Sequence, residues 1–217
     1  MKRDSMKNQQ MIKIAVAAVI AILGCGMIAT TTVYDDVYDS IVQVLCLSCL
    51  KLEPNTVADY TFETANGRAH PSYVLENLTK GVVFLHFSED ACHGCDIMYP
   101  IIQELFSIDF GKEEMISLQF PYLNQTVNYY YTNIDHATEE RGDAFFIYDK
   151  EHIGGLPMFT IVTVGYDSGI IKPYYTSVYG TLNKDTDEQR LEYLKTIMED
   201  SIQLWIENHE AYHPTVV

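Results

Sequence analysis

Hydrophobic and polar positions succeed one another along this chain in three distinct patterns. Residues 14–33 run for twenty positions without a charge. At 1.5 Å per residue a helix of that length spans about 30 Å, the thickness of a hydrocarbon core. Residues 33–47 then place apolar side chains at 33, 34, 37, 38, 41, 42, 44 and 45, with Asp35, Asp36 and Asp39 elsewhere. That spacing predicts an amphipathic helix, which Glu53-Pro54-Asn55 stops.

From residue 57 onward the pattern shortens and alternates between the two periods. Residues 59–64 alternate like a short strand, and 71–80 read as a helix closed by Gly81. The run GVVFLHF at 81–87 is that of a strand buried on both faces. Helical spacing resumes at 96–106, with Pro100 as a kink. Strands are predicted at 115–120, 129–134, 158–164 and 170–179, with a turn at 165–169 between the last two. Helices are predicted at 137–150 and 185–209. Strands alternating with helices, ending in a hairpin and a helix, predict an α/β fold in which a central mixed sheet is flanked by helices.

Charge adds an orientation. The net charge is −16, which argues against a nucleic-acid partner, since phosphate binding needs a basic surface. Residues 1–33 hold Lys2, Arg3, Lys7 and Lys13 against Asp4 alone, a net of +3, so the rest carries the difference, −19. A basic flank before an apolar span keeps the N-terminus cytoplasmic. The expected organisation is a cytoplasmic tail (1–13), a single-pass transmembrane anchor (14–33), a juxtamembrane helix (34–56) and an extracytoplasmic domain (57–217). Two other readings of the span stay open: a lipid on Cys25, within Ile22-Leu23-Gly24-Cys25, and a cleaved signal peptide.

An exported domain changes what its cysteines mean, because disulfides persist outside the cytoplasm. Cys92-His93-Gly94-Cys95 follows the buried strand and opens the next helix. A CxxC placed there sets the first sulfur among the unpaired N–H groups of a helix start, which stabilise a thiolate. Cys46 and Cys49 repeat the spacing upstream, on one face of the amphipathic helix. Three roles are open to that pair: small packing residues, a second redox couple, or half of a four-cysteine zinc site. The 42 residues between Cys49 and Cys92 exceed the usual spacing of such a zinc site.

The segment from Val82 to Cys95 (VVFLHFSEDACHGC) resembles the central strand, loop and active-site helix of the thioredoxin superfamily. Gly154-Gly155-Leu156-Pro157, just before MFTIVTV, resembles that family's second element, a cis-proline facing the active-site disulfide. The resemblance extends over residues 57–210. It implies a protein thiol–disulfide oxidoreductase without cofactor or metal, with Cys92 as the attacking cysteine and Cys95 as the resolving one. Leu156 and Pro157 would form the substrate groove. His86 stands where many relatives keep a proton-shuttling carboxylate, although a histidine on a strand is also an ordinary hydrogen-bonded core residue. His93 would tune Cys92 as an adjacent cation, opposed by Glu89 and Asp90. Ala91 replaces the family's frequent tryptophan, and the stretch from Cys95 to Pro157 is long, which predicts an insertion within 119–150.

The expected partners are protein thiols or disulfides, the membrane, and a membrane redox partner that resets the site. The rival reading is a non-enzymatic thioredoxin-fold module that holds a partner in the groove, and a third is metal binding by the dithiols. Asn77-Leu78-Thr79 and Asn124-Gln125-Thr126 match the glycosylation acceptor pattern. His152, His209 and His213 show no metal-ligand spacing, and Tyr129-Tyr130-Tyr131 reads as cover for a sheet face.

Overall fold

The run predicted to be buried on both faces is the middle strand of the sheet. In the computed structural model, which describes residues 56–214 apart from 66, 112, 113 and 150, every residue of strand β1 (Val82–Ser88) is buried. Its neighbours explain why. Strand β3 (Gln125–Asn133) pairs with it in parallel and β4 (Met158–Asp167) antiparallel, so neither edge of β1 reaches solvent. Strand β2 (Met115–Tyr122) joins β3, and β5 (Ile170–Tyr179) joins β4. Among the described residues this makes a five-stranded mixed sheet in the order β2-β3-β1-β4-β5. The α/β class expected from the sequence is the class observed.

Among the described residues four α-helices cover the sheet: α1 (Ser72–Leu78), α2 (His93–Phe106), α3 (Glu139–Tyr148) and α4 (Asp187–Asn208). Side-chain contacts sort them by face. Phe84 of β1 and Tyr129 of β3 meet Phe106 of α2, and Thr163 of β4 donates to the Ser201 carbonyl of α4. Phe87 meets Phe145 of α3 on the opposite face, where Tyr73 of α1 packs against Tyr130. Alternate residues of each strand therefore serve different helix layers, which is why the strands read as continuous apolar runs. α4 starts with a full capping box, in which Thr186 and Gln189 satisfy each other's backbone donors.

Several boundaries differ from the sequence expectation. α2 starts three residues earlier than the periodicity suggested, because its N-cap is Cys92 itself. β3 starts at Gln125 and is joined to β2 by Leu123 and Asn124, both at positive φ. Leucine is a poor residue for such a turn, so nothing in the sequence signalled a hairpin there. The long stretch after Cys95 holds this hairpin and α3. The last hairpin turns at Ser168-Gly169, and Gly165 lies within β4 against the Tyr174 ring. Residues 59–64 do not form a sheet strand. They contribute an isolated bridge from Glu63 to Tyr175 on the outer side of β5.

Gly81 is also not the helix cap that the sequence suggested. Thr79 caps α1 in a right-handed conformation, whereas a Cβ on Gly81 would collide with the Thr126 carbonyl of β3. The glycine is required by strand approach. Of the two acceptor motifs, Asn77 lies in α1 with its amide donated to the Tyr73 carbonyl, and Asn124 is exposed in the hairpin turn.

The anchor at 14–33, Cys25, and the helix carrying Cys46 and Cys49 lie outside the described residues. Among those that are described, no helix is long and apolar enough to cross a membrane.

Two glycine substitutions of opposite sign test this packing. Gly81→Ala is expected to destabilise the protein by about 1–3 kcal/mol, as overpacking does. Gly142→Ala lies within α3, where a Cβ would meet no atom closer than 3.8 Å. It is expected to stabilise by about 0.5–1 kcal/mol through helix propensity. Guanidinium denaturation midpoints should fall for the first and rise for the second.

Candidate functional site

Strand register brings the two sequence motifs together. Phe87, next to the end of β1, pairs with Met158, the first residue of β4. The chain on each side of that pair therefore emerges at one end of these interior strands: the loop to Cys92 from β1, and Leu156-Pro157 leading into β4. The Leu156–Pro157 bond is cis. A Cβ built on Gly94 would lie 3.2 Å from Pro157 Cδ and 3.3 Å from the Leu156 carbonyl oxygen. The Cys92–Cys95 turn thus rests directly on the proline, and a side chain between the cysteines at Gly94 would crowd it.

Cys92 and Cys95 form a disulfide, with their Cα atoms 5.2 Å apart. Cys92 is the N-cap of α2 and accepts from the Cys95 N–H at 3.1 Å through its Sγ. The two sulfurs are not equivalent. Cys95 is 8% exposed, whereas Cys92 is only half-buried and is the more accessible of the two to solvent. His93 is exposed.

Pro157 is held from behind. Buried Asp149 accepts from the N–H groups of Ile153 and Gly154 and from the Tyr179 hydroxyl, while the Pro157 carbonyl accepts from Gly180 N–H. Asp149 thereby fixes the loop that ends at Pro157. No motif in the sequence marked it, because its partners are brought to it by the β4–β5 hairpin.

The loop before Cys92 is held by a second set of polar contacts. Asp90 accepts from Asn133 Nδ2 at 2.9 Å and lies 3.0 Å from His136 Nε2, and its own N–H donates to Asp135 at 2.8 Å. The hydrogen bonds from Asn133 and His136 hold the Asp90 carboxyl below its ordinary range, and Asp90 in turn raises His136. Ala91, between this anchor and Cys92, takes a left-handed φ of 54°, a conformation that costs a non-glycine residue about 1–2 kcal/mol. Glu89 is pushed up, first by burial and then by the charge of Asp135.

A cleft of about 230 Å³ opens beside the disulfide. Both cysteines line it, with His86, the 89–91 loop, Asp96, Tyr99 and Tyr131. His86 is fully buried on β1, 2.9 Å through Nδ1 from the Tyr129 hydroxyl, while Nε2 has no partner among the described residues. Burial lowers its pKa to about 3, so the ring is neutral across the physiological range. The structure thus gives His86 a core hydrogen bond and also a place in the wall of the site. Tyr129, expected only to cover the sheet, is what orients that ring.

Cys92, Cys95, His86, Leu156 and Pro157 are brought to one end of the interior strands β1 and β4, with His93 beside them, and Cys46 and Cys49 lie outside the described residues. Among those described, no group of three or more histidine, cysteine, aspartate or glutamate side chains could hold a metal. Neither the family models nor the curated proteins give a match to this chain.

The Asp90–His136 pair predicts a pH dependence. A raised histidine pKa contributes stability in full below 6.5, lost as pH rises through the raised value. A lowered carboxylate contributes stability that is lost as pH falls through its depressed value. Thermal melts of wild type and His136→Ala should therefore differ more at pH 5.5 than at pH 8.5. The comparison also cancels the destabilisation that protonating buried His86 brings in acid.

Proposed function

We propose that this chain is a membrane-tethered thiol–disulfide oxidoreductase with a thioredoxin-like fold, acting outside the cytoplasm on protein disulfides or dithiols. The observation that carries the reading is a disulfide at the first turn of α2, with one sulfur accessible and one buried, resting on Leu156-Pro157. The five-stranded mixed sheet with helices on both faces is compatible with that fold.

In the oxidised form, a substrate thiolate attacks Cys92 Sγ and expels the Cys95 thiolate, giving a mixed disulfide. A second substrate thiolate then attacks its own half of that bond and expels the Cys92 thiolate. Two electrons pass to the protein, and the substrate leaves as a disulfide. In the reverse direction Cys92 attacks a substrate disulfide and Cys95 resolves the mixed species. A second thiol–disulfide couple resets the pair in either case.

The local groups act on these steps in opposite senses. The Cys95 N–H and the start of α2 favour a Cys92 thiolate, which favours the reduced protein and makes its disulfide more oxidising. Glu89 and Asp90 oppose it, while His93 adds a favourable charge when protonated. His86 is a neutral hydrogen-bonding group in the lining of the cleft that both cysteines share. Cys46 and Cys49 are candidates for a second couple that exchanges electrons with this one. No cofactor enters the chemistry.

The test is a glutathione titration of the full-length protein with Cys92→Ser, Cys95→Ser and Cys46→Ser/Cys49→Ser variants, alongside turnover of a disulfide-containing peptide. Cys92→Ser should abolish turnover, and Cys95→Ser should accumulate a mixed disulfide with the peptide. A potential near −120 mV would make the protein an oxidant and one near −270 mV a reductant. A second two-electron couple lost in the Cys46/Cys49 variant would place that pair in the electron path. A disulfide that titrates but exchanges with no peptide would instead leave a binding module.

A further inference from the structure

We propose that the cleft beside the disulfide is a specificity pocket for a cationic side chain, a lysine or arginine next to the substrate cysteine that exchanges with Cys92. This names the substrate class of the same site and so rests on the oxidoreductase reading.

The lining is one-sided in charge. Glu89, Asp90 and Asp96 contribute to it, and among the described residues no lysine or arginine does. The three carboxylates are not in the same state. Asp90 is bonded by Asn133 and His136, so its charge is largely answered within the loop. Glu89 forms no ion pair among the described residues and faces the repulsion of Asp135. A cation entering the cleft would relieve that repulsion, and an anion would add to it.

Buried His86 points to a ligand independently of the carboxylates. It lines the same cleft, and its Nε2 lacks a partner among the described residues while Nδ1 is held by Tyr129. Burying a polar nitrogen without a hydrogen bond is unfavourable, and the deficit is removed by a polar group brought into the cleft. In the tautomer whose Nδ1–H donates to Tyr129, Nε2 offers a lone pair, the complement of an ammonium or guanidinium N–H. Tyr99 and Tyr131 supply aromatic walls, suited to the methylene stem and to cation–π contact with the head. At about 230 Å³ the space is smaller than the roughly 300–1,000 Å³ of small-molecule sites. It suits one long side chain of a polypeptide better than a free ligand.

The charges do not bear on which sulfur reacts; they select what is delivered to it. A substrate cysteine flanked by a cation is drawn to the accessible Cys92, and one flanked by a carboxylate is repelled. Specificity is a difference of affinities, and a repulsive element against the wrong partner contributes to it as an attraction for the right one does.

The experiment uses full-length protein and two peptides, each closed by an internal disulfide and identical except for arginine or glutamate beside one cysteine. The kcat/KM for disulfide exchange should be about tenfold higher for the arginine peptide at low salt. That ratio should fall below about twofold in a Glu89→Gln/Asp96→Asn variant. Because the ratio is read within one protein, any change in the potential of the cysteines cancels. Equal rates for the two peptides in wild type, or a ratio unaltered by the variant, overturns the inference. Binding of the same peptides with serine for cysteine, followed by fluorescence anisotropy, separates it from the reading beneath it. If neither disulfide peptide exchanges but the arginine form binds more tightly, the cation pocket stands and the oxidoreductase reading falls. If neither exchanges and binding shows no preference, the pocket falls as well.

Discussion

The burial of β1 from Val82 to Ser88 is the constraint from which the rest of this structure follows. A strand without a solvent face must have both edges paired and both faces covered, since an unpaired buried N–H or C=O costs about as much as a lost hydrogen bond. β3 and β4 take the edges and the helix layers take the faces. The same pairing decides where the chain can leave. β1 ends level with Asn133 on one side and next to the start of β4 on the other. The Cys92 turn therefore emerges between the residues that anchor its loop and the proline on which it rests.

Two polar supports hold this end of the strands in position, each from a different direction. Asp149 ties the approach to Pro157 to the β5 end through Tyr179, and Asp90 ties the approach to Cys92 to the end of β3 through Asn133 and His136. Both are carboxylates engaged by several donors, so each is a fixed post whose charge is answered locally. Glu89 differs in having no such engagement among the described residues. The electrostatic character of the cleft is set by that difference, more than by the large negative charge of the whole chain, much of which is screened beyond about 10 Å at moderate salt.

The site also shows how a buried core and a reactive strand end share residues. His86 belongs to the aromatic layer with Tyr129, Tyr131 and Phe159, and one of its nitrogens is spent on that layer. The other has no partner among the described residues, and the residue lines the cleft beside the disulfide. Its neutrality follows from burial, which removes it as a charge but keeps it as a hydrogen-bonding group. The half-buried Cys92 and the buried Cys95 are made unequal by the same means, through position relative to the core.

The hydrophobic pattern by itself determined the element types from β1 onward, because a run buried on both faces and a stripe at 3.6 residues are local properties of the chain. Cys92 and Cys95 were marked by their spacing at the start of a helix, and Pro157 only by the resemblance of its segment to the thioredoxin superfamily. The pattern failed where a role depends on a neighbour distant in sequence. Gly81 read as a helix cap because the Thr126 carbonyl that excludes a side chain belongs to another strand. The β2–β3 hairpin was invisible because Leu123 takes a positive φ that its type disfavours, held by the pairing on either side. Asp149, Asn133, Tyr129 and His136 acquire their functions only from partners delivered by strand register. The sequence determined which residues could react; tertiary structure alone decided which charges, donors and rings stand around them, because those contacts join segments that only the folded sheet brings within reach.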